Sequence, residues 1–347
     1  MEIVINNFHK AGIRNITVVV GHQAEQLIPI LEGLHVRHVL NKDYDKGMFS
    51  SISTGIRALS PEVEGLFLLP TDIPLVKSHT IKTLCREHQK LDPDLIYPTF
   101  QGERGHPPVI SGRLFPAILS WDKPGGLRPL FEQYENNAHQ VEVIDEGILL
   151  DMDTLADYYK IVEFYSLRDR PRQKECEAIF TKFQVQEPVV KHGKMVAYVA
   201  QKLAERLNQF GMNLDIGLII IAALLHDVGK RKGRLSHARR GGRILRSLGY
   251  GKVGKIIAAH TDIILEDNFS LDEGMVVYLA DKLVNQDEIV SIEERFQWPL
   301  TRFSDNSEVM AIVFQRFSNV KSIANKVEWT VGASLQDIIS SEKYIKY

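Results

Sequence analysis

The chain changes rhythm part-way along, and that change limits its fold more than any other feature. From Met1 to about Asp151, helix-like and strand-like segments alternate. Val4, Phe8 and Ala11 share one helical face, and Gly12 ends that helix. Ile16–Val20 is a continuous β-branched run, the pattern of a strand buried on both faces. Helices are expected over 24–31, 50–59 and 78–89, and strands over 36–40, 65–69, 95–98, 108–110 and 141–144. Alternating βα units predict a mainly parallel, doubly wound α/β sheet. Beyond Thr154 only helical periodicity remains: Val196, Val199, Leu203 and Leu207 form one stripe, Ile244, Leu245 and Leu248 a second, Val253, Ile256, Ile257 and His260 a third. A charged, proline-broken joint, Arg168 to Arg172, separates the halves. Two domains are expected, α/β over 1–167 and all-α over 168–347, in keeping with a length of 347 residues.

Composition sets outer bounds. Hydrophobic residues make up 44% and charged residues 25%, which allows real cores, and the formal net charge of -2 argues against a general polyanion binder. Cys85 and Cys176 lie far apart without CxxC spacing, so neither a disulfide framework nor a thiolate metal site is expected. The longest apolar run, Leu218–Leu225, is well short of the ~20 residues that span a bilayer. Polar residues interrupt the N-terminus, unlike a signal peptide, so a cytoplasmic location is expected.

That apolar run ends in His226-Asp227, followed by Val228-Gly229-Lys230. Placing an imidazole and a carboxylate at the end of the most buried helix costs free energy unless something pairs with them. A divalent cation does so, because neutral imidazole and carboxylate are both ligands. His192, read as opening an earlier amphipathic helix, and Asp281, inside Tyr278-Leu279-Ala280-Asp281-Lys282-Leu283, are further candidates. Taken singly, His192 fits a surface helix start, and Asp281 fits a pairing with Lys282 or an arginine.

The order His192, His226-Asp227, Asp281, with the run through Lys230, resembles the HD domain superfamily of metal-dependent phosphohydrolases over roughly 171–286. The resemblance extends to His237-Ala238 with Gly241 and Gly242. It implies that His192, His226, Asp227 and Asp281 hold one divalent metal (Mn, Fe, Mg or Zn), with His226, Asp227 and Lys230 in catalysis. His237 and His260 would complete a second metal site, contact phosphate, or remain core histidines. The tyrosine-containing signature of the cyclic-dinucleotide branch is not visible. From Val228 to Thr261 no Asp or Glu occurs, while ten lysines and arginines from Lys230 to Lys255 do. Such a stretch suits a phosphorylated substrate or is a solvated basic face. Nucleic acid is disfavoured because no aromatic residue interleaves before Tyr250.

In the α/β half, the strand running into Pro70-Thr71-Asp72-Ile73-Pro74 places Asp72 at the carboxyl edge of the sheet, where ligands bind in open α/β folds. Asp72 either holds Mg²⁺ on phosphates or caps the next helix. Asp151 and Asp153, in Asp151-Met152-Asp153-Thr154, join that metal site, or Asp153 caps the following helix. Asn41 with Gly47-Met48-Phe49-Ser50-Ser51 forms a polar turn at a helix start, suited to an anion or a base edge.

With Val20-Gly21-His22 and Arg104-Gly105-His106-Pro107, these segments resemble the molybdenum-cofactor nucleotidyltransferases, the cytidylyltransferase branch most closely, over about 1–160. The resemblance implies a Rossmann-like fold and Mg²⁺ with CTP or GTP. Asp72, Asp151 and Asp153 would serve the metal, Asp72 as a catalytic group. Gly47, Met48, Ser50 and Ser51 would line the base or ribose, and Arg104, Gly105, His106 and Pro107 would face a pterin-type substrate. Molybdoenzyme maturation proteins would be partners. The family opens with a strand and a glycine-rich loop that holds the triphosphate, whereas this chain starts at the helix Met1–Ala11. The resemblance therefore leaves open a longer product or a half that has lost catalysis. A non-catalytic nucleotide or pterin sensor regulating the hydrolase is the alternative, and a scaffold with neither activity a third reading.

Overall fold

The computed structural model describes residues 1–230 and 236–340. The chain forms two compact units, Met1–Ser166 and Leu167–Tyr347.

The first unit contains, in order, α1 (Glu2–Ala11), β1 (Thr17–Val20), α2 (Ala24–Gly33), β2 (Arg37–Leu40), α3 (Met48–Arg57), β3 (Gly65–Phe67) and α4 (Ser78–Leu91). There follow β4 (Leu95–Phe100), β5 (Glu103–Arg104), β6 (Val109–Ser111), α5 (Phe115–Leu119), α6 (Arg128–Phe131), β7 (Ala138–Glu142) and α7 (Leu155–Ser166). The α/β alternation is as expected, because the β-branched runs pair and the amphipathic helices cover them. Gly12 ends α1 in the left-handed region, at φ 96, where a Cβ would be strained.

Strand pairing is less parallel than the alternation suggests. β1 and β2 form a parallel pair of their own. In the second sheet β7 runs parallel to β4, but β6 lies antiparallel between β3 and β4, and β5 is antiparallel to β4. β1 is not the expected doubly buried strand: Val20 is buried, while Thr17 to Val19 are half-buried. Among the described residues β1 pairs on one edge only, which leaves its side chains short of neighbours. Two apolar clusters result, one around Ile5, Val20, Leu31 and Val36, the other around Ile56, Leu95, Ile110 and Phe131. Helix α1 touches both sheets, Ile5 through the first cluster and Phe8 edge-on to Phe67 of β3 at 5.6 Å.

The second unit is built from α8 (Gln173–Lys182), α9 (Glu187–Gln209), α10 (Ile216–Leu225), α11 (His237–Ser247), α12 (Gly251–Ala259) and α13 (Glu273–Lys282). A two-stranded hairpin, β8 (Val284–Asn285) and β9 (Glu288–Ile289), interrupts the helices; periodicity could not show it because each strand is two residues long. Helices α14 (Ile292–Arg302), α15 (Ser307–Val331) and α16 (Leu335–Ser340) complete the unit. Asp215 starts α10 by accepting from Leu218 N at 3.0 Å, a cap that satisfies one free donor of the first turn. Behind it the apolar helix packs on α9 so closely that a Cβ on Gly193 would stand 2.4 Å from Leu224 O. No helix among the described residues is long and apolar enough to cross a membrane.

Candidate metal centre

His226 and His260 are the C-cap residues of α10 and α12. Each donates its Nδ1–H to the carbonyl three residues earlier, Ala223 O and Ile257 O, both at 2.7 Å. Carbonyls in a last helical turn lack intrahelical partners, so this bond satisfies the helix end and fixes the ring. His192 is likewise fixed, with Nδ1 donating to Gln286 O at 2.6 Å. The Nε2 atoms then meet other polar groups: His192 Nε2 meets Asp281, His260 Nε2 meets His237, and His226 Nε2 lies beside both carboxylates. His192 lies in the second turn of α9, not at its start, and is buried.

Two carboxylates meet these rings. Asp281, in the last turn of α13, has Oδ1 at 3.1 Å from His192 Nε2 and 3.5 Å from His226 Nε2. Asp227 has Oδ2 at 3.5 Å from His226 Nε2 and Oδ1 at 3.2 Å from His237 Nε2 and 3.8 Å from His260 Nε2. His237, the first residue of α11, brings Nε2 to 3.1 Å from His260 Nε2. Three overlapping sets, each with ligand atoms within 4.8 Å of one another, have metal-binding composition: His192, His226, Asp227; His226, His260, Asp281; Asp227, His237, His260.

A divalent ion fits this donor set. His226 Nε2 is fully buried and makes no hydrogen bond. Such a nitrogen is costly unless something takes its lone pair. The protonation states point the same way. Burial and the neighbouring His226 push the His260 ring down to about 3, and burial lowers His237. Burial works against the charged form of Asp281, but Lys282, His192 and His226 hold its carboxyl well below the usual carboxylate range. Asp227 is lowered by His226 and Lys230 against its own burial. Burial opposes charge on His226 too, yet Asp281 and Asp227 raise its pKa, so without a metal a proton takes the position a cation would occupy.

The outer oxygens of the carboxylates are held by lysines. Lys230 Nζ lies 3.0 Å from Asp227 Oδ2 with its side chain 55% exposed, and the largely buried Lys282 grips Asp281 Oδ2. Asp281 therefore pairs with Lys282 and faces the histidines at once, two readings that had stood as alternatives. The grip of Lys282 and the carbonyl of Gln286 were not foreseen as parts of the centre.

The α/β motifs are less tightly gathered. Asp72 does not cap α4, whose N-cap is Lys77, and its Oδ1 is buried without a hydrogen bond. The carboxylates of Asp72 and Asp151 act on His106, whose ring is pushed down chiefly by burial. Asp151 and Asp153 are exposed, and the start of α7 is capped by Thr154, which exchanges bonds with Asp157, so Asp153 is not the cap. Asn41 is buried and donates to Ser50 and Ser51 hydroxyls at 2.8 and 2.9 Å, bracing the Gly47-Met48 turn at the start of α3. Gly21 is pressed against Tyr44, beside which His22 stacks at 5.8 Å. A cavity of about 730 Å³ opens beside Met48, Phe49, Tyr97, Arg104, His106 and Glu135. Arg104 lies 4.5 Å over the Tyr97 ring and is paired with Glu135, a partner without any sequence signal. A Cβ on Gly105 would stand 2.4 Å from Ile148 O, so Gly105 serves close packing, while Pro107 is buried.

Family models match both units. Residues 189–286 match the HD domain and residues 1–139 the MobA-like NTP transferase domain. The chain joins an HD domain to a MobA-like NTP transferase domain. The HD domain supplies every member of the metal-capable sets. Solved structures similar to the chain include Rv0371c from Mycobacterium tuberculosis H37Rv, at 20% identity over 46% of this chain and 82% of that one, TM-score 0.40. A nucleotidyl transferase from Methanothermobacter thermautotroptrophicus shows 23% identity over 47% and 79%, TM-score 0.41. The 4-diphosphocytidyl-2C-methyl-D-erythritol synthase of Anaerococcus prevotii DSM 20548 shows 13% over 48% and 85%, TM-score 0.40.

Proposed function

We propose that the HD domain is a divalent-metal-dependent phosphohydrolase acting on a phosphorylated small molecule or nucleotide. The observation that carries this reading is the buried Nε2 of His226, which makes no hydrogen bond and lies 3.5 Å from a carboxylate oxygen of both Asp227 and Asp281. His192, His226, Asp227 and Asp281 would hold one ion; Asp227, His237 and His260 offer a second position. A bound divalent ion would lower the pKa of a water and neutralise phosphate charge. The protein's own groups do the rest. Backbone carbonyls orient three imidazoles through Nδ1, Lys282 orients Asp281, and the exposed Lys230 can leave Asp227 Oδ2 for a phosphate oxygen. Metal analysis with a panel of phosphate esters and anhydrides tests this on wild type, His226→Ala and Asp227→Ala. A wild type that binds no divalent metal and cleaves no phosphate ester would end the reading.

For the MobA-like domain we propose nucleotidyl transfer of the molybdenum-cofactor type, with CTP or GTP and Mg²⁺. A phosphate oxygen of a pterin-type substrate would bond to the nucleotide's α-phosphorus as the α–β bridging bond breaks and pyrophosphate leaves. Asp72, with Asp151 or Asp153, would serve the metal, the Gly47–Ser51 turn the nucleotide, and the cavity beside Arg104 and His106 the pterin. Support comes from the unpartnered Asp72 Oδ1 and from that cavity. Calorimetry and turnover assays with CTP, GTP and a pterin separate the outcomes: binding without turnover would make the domain a sensor for the hydrolase.

A further inference from the structure

The structure divides the basic stretch of the HD domain by direction. Arg231, Lys232 and Arg234 lie outside the described residues. On α11, successive residues turn by about 100°, so Arg239, Arg243 and Arg246 fall within about 60° of one another, roughly opposite His237. All three are exposed, whereas Arg240 lies on the His237 side and is half-buried. The outer stripe runs about 10 Å along the helix axis, and Lys255 is exposed on neighbouring α12. Three arginines thus face away from the metal centre that a phosphorylated substrate would enter.

These charges are not balanced locally. Among the described residues Arg239, Arg243 and Lys255 have no ion-pair partner, and no Asp or Glu occurs between Val228 and Thr261. Within the stretch Lys252 of α12 is paired with Asp169, and elsewhere in the unit the exposed cations Arg316 and Lys321 are each paired with a carboxylate. Like charges three and four positions apart weaken a helix, so the stripe costs stability, offset only where Arg246 donates to Gly254 O at 3.4 Å. Guanidinium is also the cation whose fork matches a phosphate with two parallel bonds.

We propose that the outer face of α11 is a docking surface for the phosphodiester backbone of a double-stranded nucleic acid. The absence of interleaved aromatics argues against reading bases, not against gripping a backbone. Tyr250 is 1% exposed, and among the described residues no large hydrophobic of α11 or α12 is exposed. The face therefore has no platform for unstacked bases and no apolar anchor for a lipid surface. Paired strands, with bases hidden and phosphates outward, are the polyanion this surface fits.

Fluorescence anisotropy with a labelled two-turn DNA duplex, and its RNA counterpart, tests the proposal without added metal, so the result is independent of hydrolysis. About four phosphate contacts predict a roughly hundredfold loss of affinity between about 50 and 200 mM salt. Arg239→Glu with Arg243→Glu should weaken binding at least ~10-fold and flatten the salt dependence, since each lost contact removes about one unit of slope. Arg302→Glu, at an exposed cation of α14, should leave it unchanged. A cooperative thermal transition at or above the wild-type midpoint shows that the double variant is folded. The proposal is overturned if the duplex does not bind at low salt, or if Arg302→Glu weakens it equally. Tighter binding of single strands, inorganic polyphosphate or anionic vesicles than of the duplex also overturns it.

Discussion

The two domains treat their polar residues in opposite ways. In the HD domain His192 and Asp281, 89 positions apart, meet at 3.1 Å in a buried pocket, and the nearby His226 Nε2 has no hydrogen bond. In the MobA-like domain several motif residues are paired or open to solvent. Asn41 braces Ser50 and Ser51, Arg104 is taken by Glu135, and Asp151 and Asp153 stand in solvent. A buried polar group lacking a partner costs free energy, so its persistence points to a ligand; a paired or solvated one carries no such message. Asp72, with a buried bare oxygen, is the exception that links the α/β half to the same logic.

The contrast breaks most visibly at Asp227, which faces His226, His237 and His260 together. Asp227→Ala should abolish stoichiometric metal and reduce hydrolysis by more than the ~10–100-fold typical of losing a partner behind a ligand. Ligand binding in the cavity beside Arg104 should not change. A variant that kept its metal by elemental analysis would mean that the cluster is a structural hydrogen-bonded core.

Gly193→Ala tests whether helix packing sets the centre. Its Cβ would meet Leu224 O at 2.4 Å, so α9 must shift from α10 and carry His192 with it. Destabilisation of about 1–3 kcal/mol is expected, together with weaker metal binding. Calorimetric unfolding should place that loss in the helical domain alone; an unchanged transition would show that the close approach is not required.

A smaller effect is expected at Glu135. Its pair with Arg104 is exposed at both side chains, so Glu135→Gln should alter stability by no more than about 1 kcal/mol. It frees the guanidinium over Tyr97, and an anionic ligand should then bind the cavity several-fold tighter by titration calorimetry. Weaker binding would assign Glu135 itself to ligand recognition.

The mildest test is pH on metal-free protein. The His260 ring, about 3 in the fold against an ordinary 6.5, contributes stability that is present above about 6.5 and lost as pH falls towards 3. His226 acts in the opposite sense, its raised pKa favouring the fold below about 6.5 and fading as pH rises through the folded value. Thermal midpoints of His260→Gln should therefore fall less on acidification than those of wild type. An equal fall would place the acid sensitivity elsewhere.

Much of this is legible in the amino-acid sequence. The βα alternation followed by helical stripes is visible because burying one face leaves a period of 2 or 3.6 in the chain. His226-Asp227 stood out because two polar groups closed an otherwise apolar run. Other features had no local mark. The β8–β9 hairpin is too short for a pattern, and the single-sided pairing of β1 depends on which strands lie beside it. Of the alternatives open for Asp72 and Asp153, the capping one fails, because Lys77 and Thr154 precede the two helices.

The amino-acid order by itself determined the domain types and marked His226 and Asp227 of the candidate metal centre, because an apolar run that stops at imidazole and carboxylate can be read locally. Only the tertiary structure decided that His237 and His260 converge on Asp227, that lysines hold the outer oxygens of both aspartates, and that three arginines of α11 face away from them. These depend on how helices distant in sequence are rotated and packed, and the geometry of a packed interface is not written in any one segment.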